Sequence, residues 1–152
     1  MTDNASPRHT LVVGCLIRND AGDLLLVRHH RRGWEIPQGR VEEGEDLLTA
    51  LHREVLEEAG VRIEAGPLGG VWSKLSSPPA LVLMFLGTWL SGEPAPSDET
   101  PEIGWFPVEE ALTLVTHPVT RDRLVTLLGY AGTAAYRTYT TGPYRLLGEG
   151  SL

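Results

Sequence analysis

Residues 39–61 read GRVEEGEDLLTALHREVLEEAGV, and the interleaving of apolar and acidic positions in this stretch decides the fold. Leu47, Leu51 and Val55 recur at i, i+4 and i+8, with Leu48 and Ala59 beside them, the spacing of one helical face. Asp46 stands where a helix needs a side-chain cap, and Gly60 follows the last periodic residue as a natural stop. Glu54, Glu57 and Glu58 fall at i, i+3 and i+4, so they share one side of that helix. Three like charges there cost the helix stability. At about 100° per residue, Glu58 projects near the edge of the apolar stripe, where a carboxylate is partly desolvated. A divalent cation relieves both penalties, and hard oxygen donors suit Mg²⁺ or Mn²⁺. The competing reading is a solvated acidic helix face, and the helix alone does not separate the two.

Working outward, residues 11–17 are β-branched and aliphatic and read as a strand. Turn chemistry at 19–23 leads into a second strand at 24–27, which makes a hairpin. A basic patch at 29–32 precedes Gly33, and Trp34-Glu35-Ile36-Pro37 is a short extended segment that Pro37 closes. Residues 38–44 read as a glycine-containing loop. After the helix, 61–63 and 69–74 predict two short strands and 80–90 a long buried one. Residues 91–101 carry Pro94, Pro96 and Pro101 among acids and glycine, the composition of a mobile lid over an active site. Structure resumes at Trp105-Phe106, with helices expected at 108–114 and 120–130. Residues 132–152 read as a weakly specified tail.

The chain has 152 residues, 41% hydrophobic and 22% charged, which suits one ordinary globular domain. We expect a loose N-terminus at 1–9, a domain at 10–131 and the tail at 132–152 packed on it. The formal net charge of −7 argues against non-specific binding to nucleic acid or an anionic membrane. An anionic ligand would need positive charge from elsewhere, for which a bound cation is the simplest source. Cys15 is the lone cysteine and lies in an apolar strand, so no disulfide forms within the chain and a buried core role is expected. The polar start at 1–9 does not read as a signal peptide, and no apolar run is long enough to span a bilayer. A cytoplasmic location is the default expectation.

Written as spacing, 39–61 is Gly-x5-Glu-x7-Arg-Glu-U-x-Glu-Glu-x-Gly-U, where U is aliphatic. It resembles the Nudix box at each defining position: Gly39, Glu45, Arg53, Glu54, Val55, Glu57, Glu58, Gly60 and Val61. The resemblance in organisation runs from about Leu11 to Tyr130. It implies an α+β fold, an α/β/α sandwich with a mixed β-sheet, and hydrolysis of a P–O–P bond in a nucleotide-type substrate. It implies Mg²⁺ or Mn²⁺ held by Glu54, Glu57 and Glu58 with the backbone carbonyl of Gly39. Glu45 and Arg53 become a supporting ion pair that orients these ligands. The general base implied is a box glutamate, Glu54 or Glu57, or an acid of the distal loop, Glu99 or Glu102.

One position departs from the commonest pattern. Pro37-Gln38-Gly39 replaces a Pro followed by two glycines. Pro-Gln-Gly occurs in members acting on dinucleoside polyphosphates or on the 5′ end of RNA, but those usually have a second glycine where this chain has Arg40. The expected partner is a small-molecule nucleotide, with no membrane and a monomeric or homodimeric state. Arg28, the last residue of its strand, and Lys74 are candidate phosphate contacts. Trp34, Trp72, Phe85 and Trp105 are candidates for base stacking or for the core. A non-catalytic nucleotide-sensing module on the same fold is the alternative, although such members usually lose box glutamates and this box is intact.

Overall fold

The computed structural model describes residues 5–152. The N-terminal part of the 1–9 segment lies outside the described residues, and 5–9 run exposed without regular structure. The central strand β1 (Thr10–Arg18) is flanked by β6 (Ala80–Ser91), which pairs with it in parallel over the whole length from Thr10↔Ala80 to Arg18↔Thr88. Successive side chains of a strand point to opposite faces, and β1 is apolar on both. Val13, Cys15 and Ile17 enter one core cluster while Leu16 enters the other. Strand β2 (Leu24–His29) does the same, with Leu24 and Leu26 on one face and Leu25 and Val27 on the other. A strand buried on both faces needs a layer on each side.

Those layers are helical. Helix α1 (Leu47–Ala59) covers one face with Ala50, Leu51, Val55 and Ala59. Helices α2 (Val108–Leu114) and α3 (Pro118–Leu128) cover the other with Ala111, Leu124 and Leu127. The sheet between them has nine strands among the described residues, in the order β3-β2-β1-β6-β5-β8-β9, with β4 on β1 and β7 on β2. It is mixed: β1 with β6 and β5 with β8 are parallel and the remaining pairs antiparallel. This is the α/β/α sandwich expected. Among the described residues no helix is long and apolar enough to cross a membrane.

The helix boundaries follow local chemistry. Asp46 Oδ1 accepts the Thr49 backbone N–H at 2.9 Å and its Oδ2 accepts the Thr49 hydroxyl at 2.9 Å. Gly60 ends α1 at φ 75°, a left-handed conformation that favours glycine, and its N–H donates to the Leu56 carbonyl. Pro118 opens α3 at a position that lacks an intrahelical N–H partner anyway, two residues before the expected start.

Three departures from the sequence reading have physical causes. Residues 61–74 form one strand, β5 (Arg62–Lys74), rather than two, because register shifts around Leu68 absorb Pro67 without breaking the pairing to β6. Residues 38–44 are not all loop: β4 (Gln38–Arg40) pairs with β1 at Gly14↔Gln38, Val13↔Gly39 and Val12↔Arg40. Short β3 (Gly33–Glu35) and β7 (Glu102–Phe106) both lie on β2. Residues 132–152 contain a hairpin, β8 (Ala135–Thr140) and β9 (Arg145–Ser151), and β8 extends the sheet in parallel beside β5. The alternation that drives it is modest, but it places Tyr139 in the core at 2% exposure.

Replacing Asp46 with Ala removes the cap of α1. We expect a loss of about 1 kcal/mol, read as a lower urea midpoint with an unchanged m-value. An unshifted midpoint would show that the cap contributes nothing here.

Candidate active site on helix α1

Box carboxylates leave α1 toward β4, and one guanidinium organises most of them. Arg53 Nε and Nη2 donate to Glu45 Oε2 and Oε1 at 2.6 and 2.8 Å, a bidentate fork. Its Nη1 donates to Glu54 at 2.9 Å and to Glu57 at 3.2 Å, and Nη2 also reaches the Arg40 carbonyl at 3.1 Å. Hydrogen bonding to Arg53 holds the Glu45 carboxyl well down, at about 2, with help from the Glu42 N–H. The same bonds raise Arg53 further above its ordinary value. Arg53 therefore touches Glu45 and two of the proposed ligands.

Glu58 has no such partner. Its side chain faces inward at 8% exposure, and its Oε1 is buried without a hydrogen bond. Burial, then the charges of Glu35 and Glu54, push its pKa up to about 9, against a smaller opposing pull from the Gln38 backbone N–H. Burial also raises Glu54, despite Arg53. Glu57 is mostly exposed, at 62%. The Glu54 carboxyl packs directly on the Cα of Gly39, so a Cβ there would displace it.

This arrangement fits a hard divalent cation. A buried carboxylate oxygen without a partner is costly, and a cation held jointly by Glu58 and Glu54 removes that cost. Among the described residues no three His, Cys, Asp or Glu side chains already stand in a cation cage. The reason is visible: Glu54 and Glu57 are turned onto Arg53. A bound cation would share these two carboxylates with Arg53.

A cavity of about 800 Å³ opens beside the carboxylates. Of the residues proposed from sequence, it brings together Glu54, Gly39, Glu99 and Lys74. Lys74 Nζ also donates to the Pro78 carbonyl at 2.9 Å. The basic residues His29, His30, Arg31, Arg32 and Arg40 line the cavity as well. Arg28 and Glu102 do not line it. They face each other across the β2–β7 register and form an exposed ion pair at 2.8 Å. Of the four aromatic candidates, Trp72 is buried in one core cluster, where its Nε1 donates to Asp122, and Trp34 packs edge-on against Phe106. Phe85 and Trp105 pack against the other cluster.

The 91–101 loop is tied down more than its composition suggests. The last carbonyls of a helix lack intrahelical partners, and this loop supplies two. The Ala95 N–H donates to the Ala59 carbonyl and the Thr100 hydroxyl to the Glu58 carbonyl, both at 3.0 Å. At its far side His30 Nε2 lies 2.8 Å from the Asp98 carbonyl, so that nitrogen is the donor. These ties bring Glu99 to the cavity.

Sequence reasoning passed over Glu35. It is buried at 1% exposure and takes a bidentate pair from Arg32 at 2.8 and 2.7 Å. The signal was a lone charge between Trp34 and Ile36, which only a buried partner makes tolerable.

Residues 8–128 match the NUDIX domain. The chain belongs to the Nudix family. Among relatives of this Nudix protein, a MutT-like protein from Streptomyces ambofaciens is 35% identical over 106 residues, 68% of each chain. An RNA pyrophosphohydrolase from Caulobacter vibrioides is 43% identical over 65 residues. That match covers 40% of this chain and 38% of the relative, so the chain spans well under half the length of that protein. The crystal structure of a MutT protein from Bacillus halodurans superposes with a TM-score of 0.79 at 25% identity, over 93% of this chain and 97% of that one.

The raised Glu58 pKa predicts how metal-free stability depends on pH. The folded protein keeps a proton that the unfolded chain releases above about 4.5, so this contribution is complete below 4.5 and is lost as the pH rises toward 9. Glu58→Gln abolishes that loss. In chelator the Tm of the variant should therefore gain on wild type from about pH 5 to about pH 9. Adding Mg²⁺ should raise the Tm of wild type far more than that of Glu58→Gln. Parallel Tm profiles for the two proteins would refute the assignment.

Proposed function

We propose that the protein hydrolyses a P–O–P bond in a nucleoside diphosphate linked to another group: a nucleoside triphosphate, a dinucleoside polyphosphate or a nucleotide sugar. The observation that carries this reading is the buried, unpartnered Glu58 oxygen, whose neighbour Glu54 lines a cavity with a basic wall. An apolar or neutral ligand gives that carboxylate nothing, whereas a cation–polyphosphate complex satisfies both the carboxylates and the basic residues. The similarity to an RNA pyrophosphohydrolase supports the same bond class.

Glu54, Glu57 and Glu58, with the Gly39 carbonyl, would hold Mg²⁺ or Mn²⁺. When bound, the cation supplies charge neutralisation on the phosphates and acidifies the attacking water. The protein contributes the rest. Arg53 keeps the ligand carboxylates in place through its fork to Glu45. The basic turn at 29–32 orients the phosphate chain, and Lys74, also on the cavity wall, is a further substrate contact. The water oxygen bonds to phosphorus, the bridging P–O bond breaks, and its electron pair leaves with the departing phosphate. A carboxylate takes the proton. Glu99 is the candidate favoured by position, since it faces the cavity while Glu102 is engaged with Arg28.

The test is a phosphate-release screen over nucleotides with Mg²⁺ and Mn²⁺, with products identified. Turnover should vanish in excess chelator and fall well beyond tenfold in Glu57→Gln. Glu99→Gln should lose roughly two or more orders of magnitude in kcat, and Glu102→Gln should stay within about threefold of wild type. If both loop variants keep kcat, the base is Glu54 or Glu57. Full activity of metal-free protein would end the cation-dependent reading.

A further inference from the structure

Strand β4 presents its residues alternately to the two sides of the sheet. Gly39 faces α1, since the Glu54 carboxyl packs on its Cα. The Gln38 side chain therefore leaves by the opposite face, toward α3 and β8. There it meets Arg123, a side chain only 5% exposed. Arg123 Nη1 donates to Gln38 Oε1, and Arg123 Nη2 donates to the Tyr139 hydroxyl oxygen at 3.0 Å. No carboxylate hydrogen-bonds this buried guanidinium among the described residues.

The chemistry of the pair fixes which end of the amide is which. A guanidinium has donors and no acceptor, so the Gln38 oxygen must face it and the Gln38 NH₂ must face away. That nitrogen has no partner among the described residues, and Gln38 lines the cavity. An unrestrained glutamine can rotate its amide to offer a donor or an acceptor. Arg123 removes that choice, leaving a donor.

The position says what the donor meets. Glu54 and Gly39 lie where the cation and the reacting phosphates would bind. The cavity continues past Gln38 to Thr10, Ala80 and Lys74, register neighbours across β1, β6 and β5. Gln38 projects from the sheet face opposite Glu54, away from the phosphates. We propose that Gln38 is a specificity-determining residue whose side-chain N–H groups donate to an acceptor atom of the nucleobase, held in that orientation by Arg123 and Tyr139. This rests on the nucleotide-hydrolase reading above. It also gives the C-terminal hairpin a function, because Tyr139 lies beyond residues 8–128, the part that matches the family.

The test compares wild type, Gln38→Glu and Gln38→Met. Glutamate keeps the shape and the bond to Arg123 but turns an acceptor toward the cavity; methionine removes the donor without adding charge. kcat and KM are measured for ATP, GTP, CTP and UTP at saturating Mg²⁺, and Kd is measured calorimetrically for the corresponding α,β-methylene analogues. We expect the preference of wild type for its best base over its worst to shrink roughly tenfold in both variants, through KM and Kd with kcat nearly unchanged. Tyr139→Phe should narrow the preference partway. Equal affinity of wild type for all bases, an unchanged preference in the Gln38 variants, or a uniform loss across all bases overturns the proposal. Absence of wild-type turnover of these triphosphates, and of dinucleoside polyphosphates and nucleotide sugars assayed beside them, would instead sink the hydrolase reading, while the analogue affinities would still decide the role of Gln38.

Discussion

A carboxylate cluster on a single helix face is an unstable thing to build, and the contacts of Arg53 make it possible here. Glu45, Glu54 and Glu57 all bond to this one guanidinium. Its planar fork suits the bidentate contact to Glu45 in a way that an ammonium does not. Glu45 comes from the segment before the helix, so the ion pair also fixes how the chain enters α1. Glu58 is left outside this arrangement, buried and raised to about 9. The site thus divides into carboxylates bonded to Arg53 and one, Glu58, that in the metal-free fold holds a proton instead.

The sheet supplies the rigidity this division requires. Strand β1 carries α1 on one face and the second core on the other, and β4 pairs with it directly. Gly39 is therefore held against Val13, and Glu54 can rest on its Cα. The carboxylate-bearing helix, the glycine backbone and the central strand are packed as one block. Side chains on such elements are positioned more closely than those on loops.

Much of this was legible in the sequence because it depends on periodic or local signals. Leu47, Leu51 and Val55 announced α1, Asp46 and Gly60 its ends, and a simple angular argument placed Glu58 at the edge of the apolar stripe, where the structure buries it. What stayed hidden depends on register between distant segments. Arg28 and Glu102 are separated by 74 positions and become neighbours only through β2–β7 pairing. The Gln38–Arg123–Tyr139 chain joins three segments across 85 and 16 positions. Strands β8 and β9 are short and contain or flank glycines, so their alternation is weak in isolation and gains its meaning from the open edge of β5 beside them.

The anchoring of the 91–101 loop has a thermodynamic corollary. Its bonds end on the carbonyls of Glu58 and Ala59, so lifting that part of the loop bares the last turn of α1. Opening that segment and fraying the turn that carries Glu57 and Glu58 are then one cooperative event, a local unfolding unit rather than an independent flap. Linkage is reciprocal: whatever braces the helix end also favours the seated loop, and whatever pulls the loop away loosens the helix end. The end of α1 and the segment that carries Glu99 are therefore coupled through two hydrogen bonds, one from the Ala95 backbone and one from the Thr100 hydroxyl.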